Sequence, residues 1–316
     1  MFFPRIVAVL ALTFGVAHAQ NSQTGPIHIQ TGSSSTAGNL ISRMIAPIVS
    51  ETLGQPIVVE NNSSGIILGQ KVAKSAPDGR TLLVTGASFW LAPLVMNNVP
   101  WDPVKDFEQV SLMTTTPNLV VVHPSVPAKS LKEFIAYAKS KPGQLNFGAG
   151  TVGSTPHLAG ELFITMAGVD LKTIPYKGIA SAVVDLLAGG VQVVFPPAAS
   201  AAKHIKSGSI RALAVTTLKR SPLFPDLPSV SESGLTGYQA EVINGMFAPA
   251  KTPAAALSRV SKAFNAALLR PDIKEKLFAI GVDSIGGSPE DLKEAVTREI
   301  TVWGKIIREK GIHTDL

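Results

Sequence analysis

The 316-residue chain contains no cysteine, which excludes disulfide scaffolds, thiol nucleophiles, cysteine-ligated zinc, iron–sulfur clusters and a lipid-modified N-terminal cysteine. Aromatic residues make up 6% of it, and the loops that could bind a ligand hold no cluster of rings, which disfavours a sugar site built by stacking. Charge is sparse too, at 16%. No run of five like charges occurs, so neither a nucleic-acid stripe nor a charged tail is indicated. Beyond the first twenty residues no apolar run approaches eighteen, the length that a membrane-spanning helix needs. What is present is globular: 45% hydrophobic residues over a length that suggests about two domains. The 27 glycines and 23 prolines imply many turns. The formal charge of +6 leaves a mild preference for small anions.

The N-terminus reads as an address. Arg5 and the free amine precede an apolar stretch from Ile6 to Val16, and Ala17-His18-Ala19 supplies a small-x-small pattern before Gln20. This is the pattern of a secretory signal peptide, 1–19, cleaved after Ala19. The apolar run is too short to span about 30 Å of hydrocarbon, so the mature chain is expected outside the inner membrane.

From there, strand-like and helix-like segments alternate. Apolar, β-branched runs begin at Ile27, Ile57, Thr81, Leu119, Leu145, Lys172, Val191 and Ile210, and most precede helical periodicity. Such repetition predicts parallel sheets covered on both faces. Leu40, Ile41, Met44, Ile45, Ile48 and Val49 mark one helix face, with a kink or late start expected at Pro47. The C-terminal third reads as three amphipathic helices in need of a partner surface. Two turn-rich segments, 97–106 and 221–237, each lead into an extended stretch. These two crossings predict one lobe from 20–114 plus 241–316, another from 115–240, and a hinge between them.

The sharpest local motif is Gly148-Ala149-Gly150-Thr151-Val152-Gly153, formally GxGxxG after a strand. A dinucleotide fingerprint starts its helix within the glycines, whereas Pro156 fits best just inside a helix capped by Ser154 or Thr155. Three readings stay open: a cradle of unpaired N–H groups and hydroxyls for a small anion, a plain turn, and last a dinucleotide site. The serine-rich loop Thr31–Asn39 and Gly86-Ala87-Ser88 also follow strands, where open α/β sheets bind ligands. No GxSxG elbow occurs, Ser154 and His157 lack an oriented acid, and the histidines are dispersed. Hydrolytic and metal chemistry find no support, so no cofactor or catalytic residue is expected.

The segments LGQPIVVEN (Leu53 to Asn61), VAKSAPDGRTLL (Val72 to Leu83), PWDPVKDF (Pro100 to Phe107), GSTPHLAGELF (Gly153 to Phe163), PYKG (Pro175 to Gly178), IRALAVTTLKRSP (Ile210 to Pro222) and MFAPAKTP (Met246 to Pro253) resemble the tripartite tricarboxylate transporter receptor family, also called Bug or TctC. The resemblance covers the whole mature chain. It implies an α/β, two-lobed periplasmic binding protein of type II-like architecture with hinge strands and C-terminal helices. It further implies a small organic carboxylate as ligand and a two-component membrane permease as partner, without enzymatic turnover. Carried onto this chain, the family's ligand loops point to Ser34, Ser35, Thr36 and Asn39, and to Gly150, Gly153, Ser154, His157, Tyr176 and Lys177. Ser88 joins them from the third loop. A sensing receptor and an exported hydrolase are the alternatives.

The chain also departs from the family pattern. Ser35-Thr36 stands where a glycine pair is common, and Asn39 where an aspartate is. Asn61–Gly69 reads as a short, glycine-poor loop. Phe195-Pro196-Pro197 lacks the acidic residue that often follows the phenylalanine, which disfavours an amino-acid ligand.

Overall fold

The computed structural model describes residues 25–313 other than 35 and 63. The export segment with its cleavage after Ala19, and the candidate Ser35, lie outside the described residues. The chain opens with β1 (Ile27–Thr31), α1 (Ala37–Leu53), β2 (Ile57–Asn61), α2 (Gly65–Ala73), β3 (Thr81–Gly86), two single-turn helices α3 (Ala87–Trp90) and α4 (Ala92–Val95), and the long β4 (Phe107–Pro117). Next come β5 (Leu119–Val122), α5 (Leu131–Lys139), β6 (Leu145–Gly150), α6 (Thr155–Ala167), β7 (Leu171–Pro175), α7 (Ile179–Ala188), β8 (Val193–Val194), α8 (Ala198–Lys206) and β9 (Arg211–Val215). The last passage is β10 (Glu241–Pro249), α9 (Ala254–Leu268), α10 (Pro271–Ala279), β11 (Asp283–Ser284) and α11 (Pro289–Lys310).

These strands form two sheets, one in the order β11-β4-β10-β3-β1-β2 and the other in the order β7-β6-β8-β5-β9. The expectation of parallel sheets is corrected, because both are mixed. β1 runs parallel to β2 and β3, and β6 to β7 and β8, whereas β10 opposes β3 and β4, and β5 opposes β8 and β9. Parallel neighbours need a long crossover. β5 follows β4 with only Asn118 between them, so it enters its sheet from the crossing side and runs against its neighbours.

Local signals explain most element boundaries. Thr36 caps α1 by accepting the Asn39 N–H at 3.4 Å, and Gly54 ends it in the left-handed region at φ 63°. Pro47 does not delay the helix. Its ring is exposed, and the one backbone bond it forgoes is outweighed by burial of Ile41, Ile45 and Val49 on the opposite side. The Asn61–Gly69 segment is not a loop throughout: α2 starts at Gly65 with Ser64 as its cap and buries Leu68 and Val72. α8 has no large apolar stripe to announce it and buries only Ala198 and Ala201. α11 begins with a reciprocal capping box between Ser288 and Asp291.

Three apolar clusters hold the layers together. One packs α1, α9 and α10 on the first sheet through Ile45, Val49, Phe264 and Leu277. A second packs α7 and α8 on the second sheet through Leu186, Val191 and Ala201. The third is continuous between the sheets, from Trp90 and Phe247 through Trp303 and Ile307 of α11 to Phe147 and Phe163. Each large apolar side chain among these, fully buried, contributes about 1.5–3 kcal/mol. α11 packs on β4 and reaches α6, which supplies the partner surface its stripe requires. The two passages of the chain between the sheets are laced together. Thr216 Oγ1 accepts the Asn118 N–H at 2.9 Å, Ala240 N–H donates to Thr216 O at 2.9 Å, and Asn118 Nδ2 donates to Ala240 O at 3.2 Å.

Candidate ligand site at the strand ends

On the first sheet, the loop after β1 turns directly into α1. Thr36 Oγ1 donates to Ser33 O at 2.9 Å, which fixes the capping hydroxyl, and Ser34 is exposed. Asn39, in the first turn, is 1% exposed. Its Oδ1 accepts from Arg43 Nε at 3.0 Å, while its Nδ2 has no partner among the described residues. Thr31 Oγ1, at the end of β1, is likewise buried without a partner among them. Gly38 keeps the helix start close to it, since a Cβ there would lie 3.3 Å from that oxygen. Ser88 is exposed in α3, which follows β3, the strand paired with β1.

On the second sheet, β6 ends at Gly150, whose φ of 69° lies in the left-handed region, as does Gly153 at 78°. These are backbone states that a side chain would strain. Ser154 caps α6 by position only: its hydroxyl donates to Thr151 O at 2.7 Å rather than to the helix. The helix begins after the glycines and carries Pro156 in its first turn, which removes the dinucleotide reading. The Gly153 N–H donates to His157 Nδ1 at 2.9 Å. The Gly153 amide and the Ser154 hydroxyl, read from sequence as open donors, are therefore engaged within the loop itself.

His157 is 5% exposed and turned back onto the loop. Burial holds its ring below the usual histidine range, against the opposing pull of Glu161. Glu161 Oε1 stands 3.8 Å from His157 Nε2 and accepts from Thr173 Oγ1 at 2.6 Å, and Lys310 Nζ lies 3.3 Å from Glu161 Oε2. Tyr176 and Lys177 brace the loop by their backbone. Tyr176 N–H donates to Gly150 O at 3.0 Å, and Lys177 O accepts from Thr151 Oγ1 at 3.0 Å. The Tyr176 hydroxyl itself donates to Asp185, and burial together with that carboxylate pushes it up to about 12. The Lys177 side chain is exposed.

The loop of the second sheet also meets the first. A Cβ on Gly153 would lie 3.8 Å from Val95 Cγ1 of α4. Arg43, Val95, Glu161 and Lys310 were not singled out from the sequence. Of these only Glu161 carried a local signal, its four-residue spacing from His157 on one helix face. Among the described residues no group of three or more His, Cys, Asp or Glu side chains could hold a metal ion.

A model of the tripartite tricarboxylate transporter family receptor, TctC, matches residues 41–312. The chain belongs to this family. Protein BugT of Bordetella pertussis is 32% identical over 328 residues, covering 98% of this chain and 99% of that one. An R. palustris protein solved with adipate is 33% identical, with a TM-score of 0.74 over 91% of this chain and 98% of its own. MatC from Rhodopseudomonas palustris, solved with bound malate, is 28% identical with a TM-score of 0.70, covering 89% of this chain and 99% of that one. The two sheets of this TctC-family receptor are those of the α/β periplasmic binding proteins. It is a binding protein and not an enzyme.

Proposed function

We propose that this TctC-family chain is the solute receptor of a tripartite transporter, exported to the periplasm with cleavage after Ala19, which captures a small dicarboxylate and delivers it to a two-component membrane permease. Its lobes are 20–114 plus 241–316 and 115–240, moving about the Asn118–Thr216–Ala240 crossing. Ser34, Thr36, Asn39 and Ser88 face the ligand from the first lobe, and Ser35 is carried with them as a candidate from the sequence alone. Gly150, Gly153 and Ser154 shape the second-lobe wall of the site as a loop whose Gly153 N–H and Ser154 hydroxyl are bonded within it, with His157, Tyr176 and Lys177 holding that loop. A dicarboxylate is favoured because similar proteins were solved with adipate and malate.

The observation that carries this reading is the Asn39 amide. A buried N–H donor without a partner costs about 1–3 kcal/mol, and Nδ2 stays unpartnered among the described residues in the first turn of a helix whose dipole favours an anion. A carboxylate arriving there removes that cost. Charge-assisted hydrogen bonds contribute about 1.5–3 kcal/mol each, so three or four account for micromolar affinity near 8 kcal/mol. Calorimetry with adipate and malate tests it, using the mature chain and the double variant Gly153→Val with Ser154→Ala. The wild type is expected to bind one of them 1:1. The double variant is expected to stay folded by circular dichroism and to lose binding, and unchanged affinity would remove the second-sheet loop from the site.

A further inference from the structure

His157 is a buried titratable side chain in the first turn of α6, against the second-sheet loop, and its geometry differs from that of a ligand contact. Because the Gly153 N–H donates to Nδ1 at 2.9 Å, that nitrogen must carry a lone pair, so the ring is neutral with its proton on Nε2. Nε2 faces Glu161 Oε1 at 3.8 Å. Glu161 is 4% exposed and is itself fixed from two other elements, by the Thr173 hydroxyl of β7 and by Lys310 near the end of α11. Among the described residues, the charged groups facing the ring are thus Glu161 on its own helix and, behind it, Lys310; the β7 contribution is the neutral hydroxyl.

We propose that His157 is a positioning residue that sets the left-handed Gly153 turn of the ligand loop through Nδ1, and that Glu161, anchored by Thr173 and Lys310, holds the imidazole in the tautomer this requires. The chain of contacts runs from a loop of the second sheet to α11, the helix that also packs on β4 of the first. A doubly protonated ring has no acceptor at Nδ1. Protonation therefore breaks the Gly153 contact and frees the turn, so the loop loosens as pH falls through the histidine titration. Burial places that titration on the acidic side of the usual value, and Glu161 works against the burial. Removing the Glu161 charge moves it further into acid.

This inference deepens the carboxylate-site reading, and its test does not depend on that reading. Nitrogen-15 NMR of the full mature chain reports the His157 tautomer and the hydrogen exchange of the Gly153 amide from about pH 8 down to about pH 4, which reaches the acidic side of the usual histidine value. The Nε2–H tautomer is expected, with Gly153 protection dropping by about tenfold or more as the ring titrates. In His157→Asn the side-chain amide oxygen would stand near the place of Nδ1 as an acceptor that cannot titrate. That variant is expected to keep Gly153 protected at every pH, whereas His157→Leu loses the protection throughout. Glu161→Gln is expected to shift the exchange profile to lower pH without abolishing it. A Gly153 exchange rate indifferent to the His157 titration would overturn the proposal, as would His157→Asn behaving like His157→Leu or a Glu161→Gln profile that does not move. Calorimetry with adipate and malate on the same variants separates the two ideas. Absence of binding by the wild type would count against the carboxylate site, while the exchange profile would still decide the role of His157.

Discussion

At the scale of single residues, the site is defined by which polar atoms are already engaged. Asn39 spends its oxygen on Arg43 and keeps Nδ2 without a partner among the described residues, so it is the natural first contact for an anion. Asn39→Ala is expected to weaken dicarboxylate binding by at least about tenfold, the equivalent of one charge-assisted hydrogen bond. The melting temperature should fall little, because the lost Arg43 contact is only part-buried. Calorimetry and a melting curve on the same sample check both halves, and an affinity unchanged within error would place the ligand elsewhere. Sequence pattern located this residue through the loop that precedes α1. For His157 the local spacing favoured a helix-start residue contacting its own loop, while the family resemblance pointed to a ligand contact. The hydrogen bond from the Gly153 N–H to His157 Nδ1 turns the ring onto the loop.

At the scale of elements, periodicity was legible wherever an apolar stripe was long. α1, α9 and α11 were readable from their i, i+4 spacing, since each buries a row of large side chains. α2 and α8 were not, because α2 starts inside a serine- and glycine-bearing run and α8 buries only alanines. The reversals of strand direction were not local information; they arise from how the chain passes between the sheets after β4 and before β10. α11 also carries a buried acid with a consequence for stability. Glu299 is 3% exposed and accepts from Trp90 Nε1 at 2.8 Å, and burial pushes its carboxyl up to about 7, with the Trp90 contact opposing. A carboxyl raised on folding stabilises most below its ordinary value near 4.5 and loses that contribution as pH rises through about 7. The loss reaches up to about 3 kcal/mol. Glu299→Gln keeps an acceptor for Trp90 and removes the titration. Urea unfolding between about pH 5 and 8 should therefore show the variant gaining on the wild type as pH rises; parallel pH profiles would contradict this.

At the scale of the whole molecule, the expectations of export, of two crossings and of ligand loops at strand ends all rest on composition or turn signals. The family was readable from seven ordered segments. What was not readable is the way a single apolar core continues from Trp90 through α11 to Phe163, since that depends on packing between distant parts of the chain. This continuity makes the relation between the sheets a property of α11 as well as of the laced crossing at Asn118, Thr216 and Ala240. A ligand can favour a closed arrangement only through contacts that are better there than in the open one, which requires donors from both sheets. The most direct measurement is native mass spectrometry of the mature protein titrated with adipate and with malate. Capture without chemistry should give one intact dicarboxylate per chain, with the complex weakened by at least about tenfold in Asn39→Ala. No complex with either acid, or a bound species of altered mass, would contradict it.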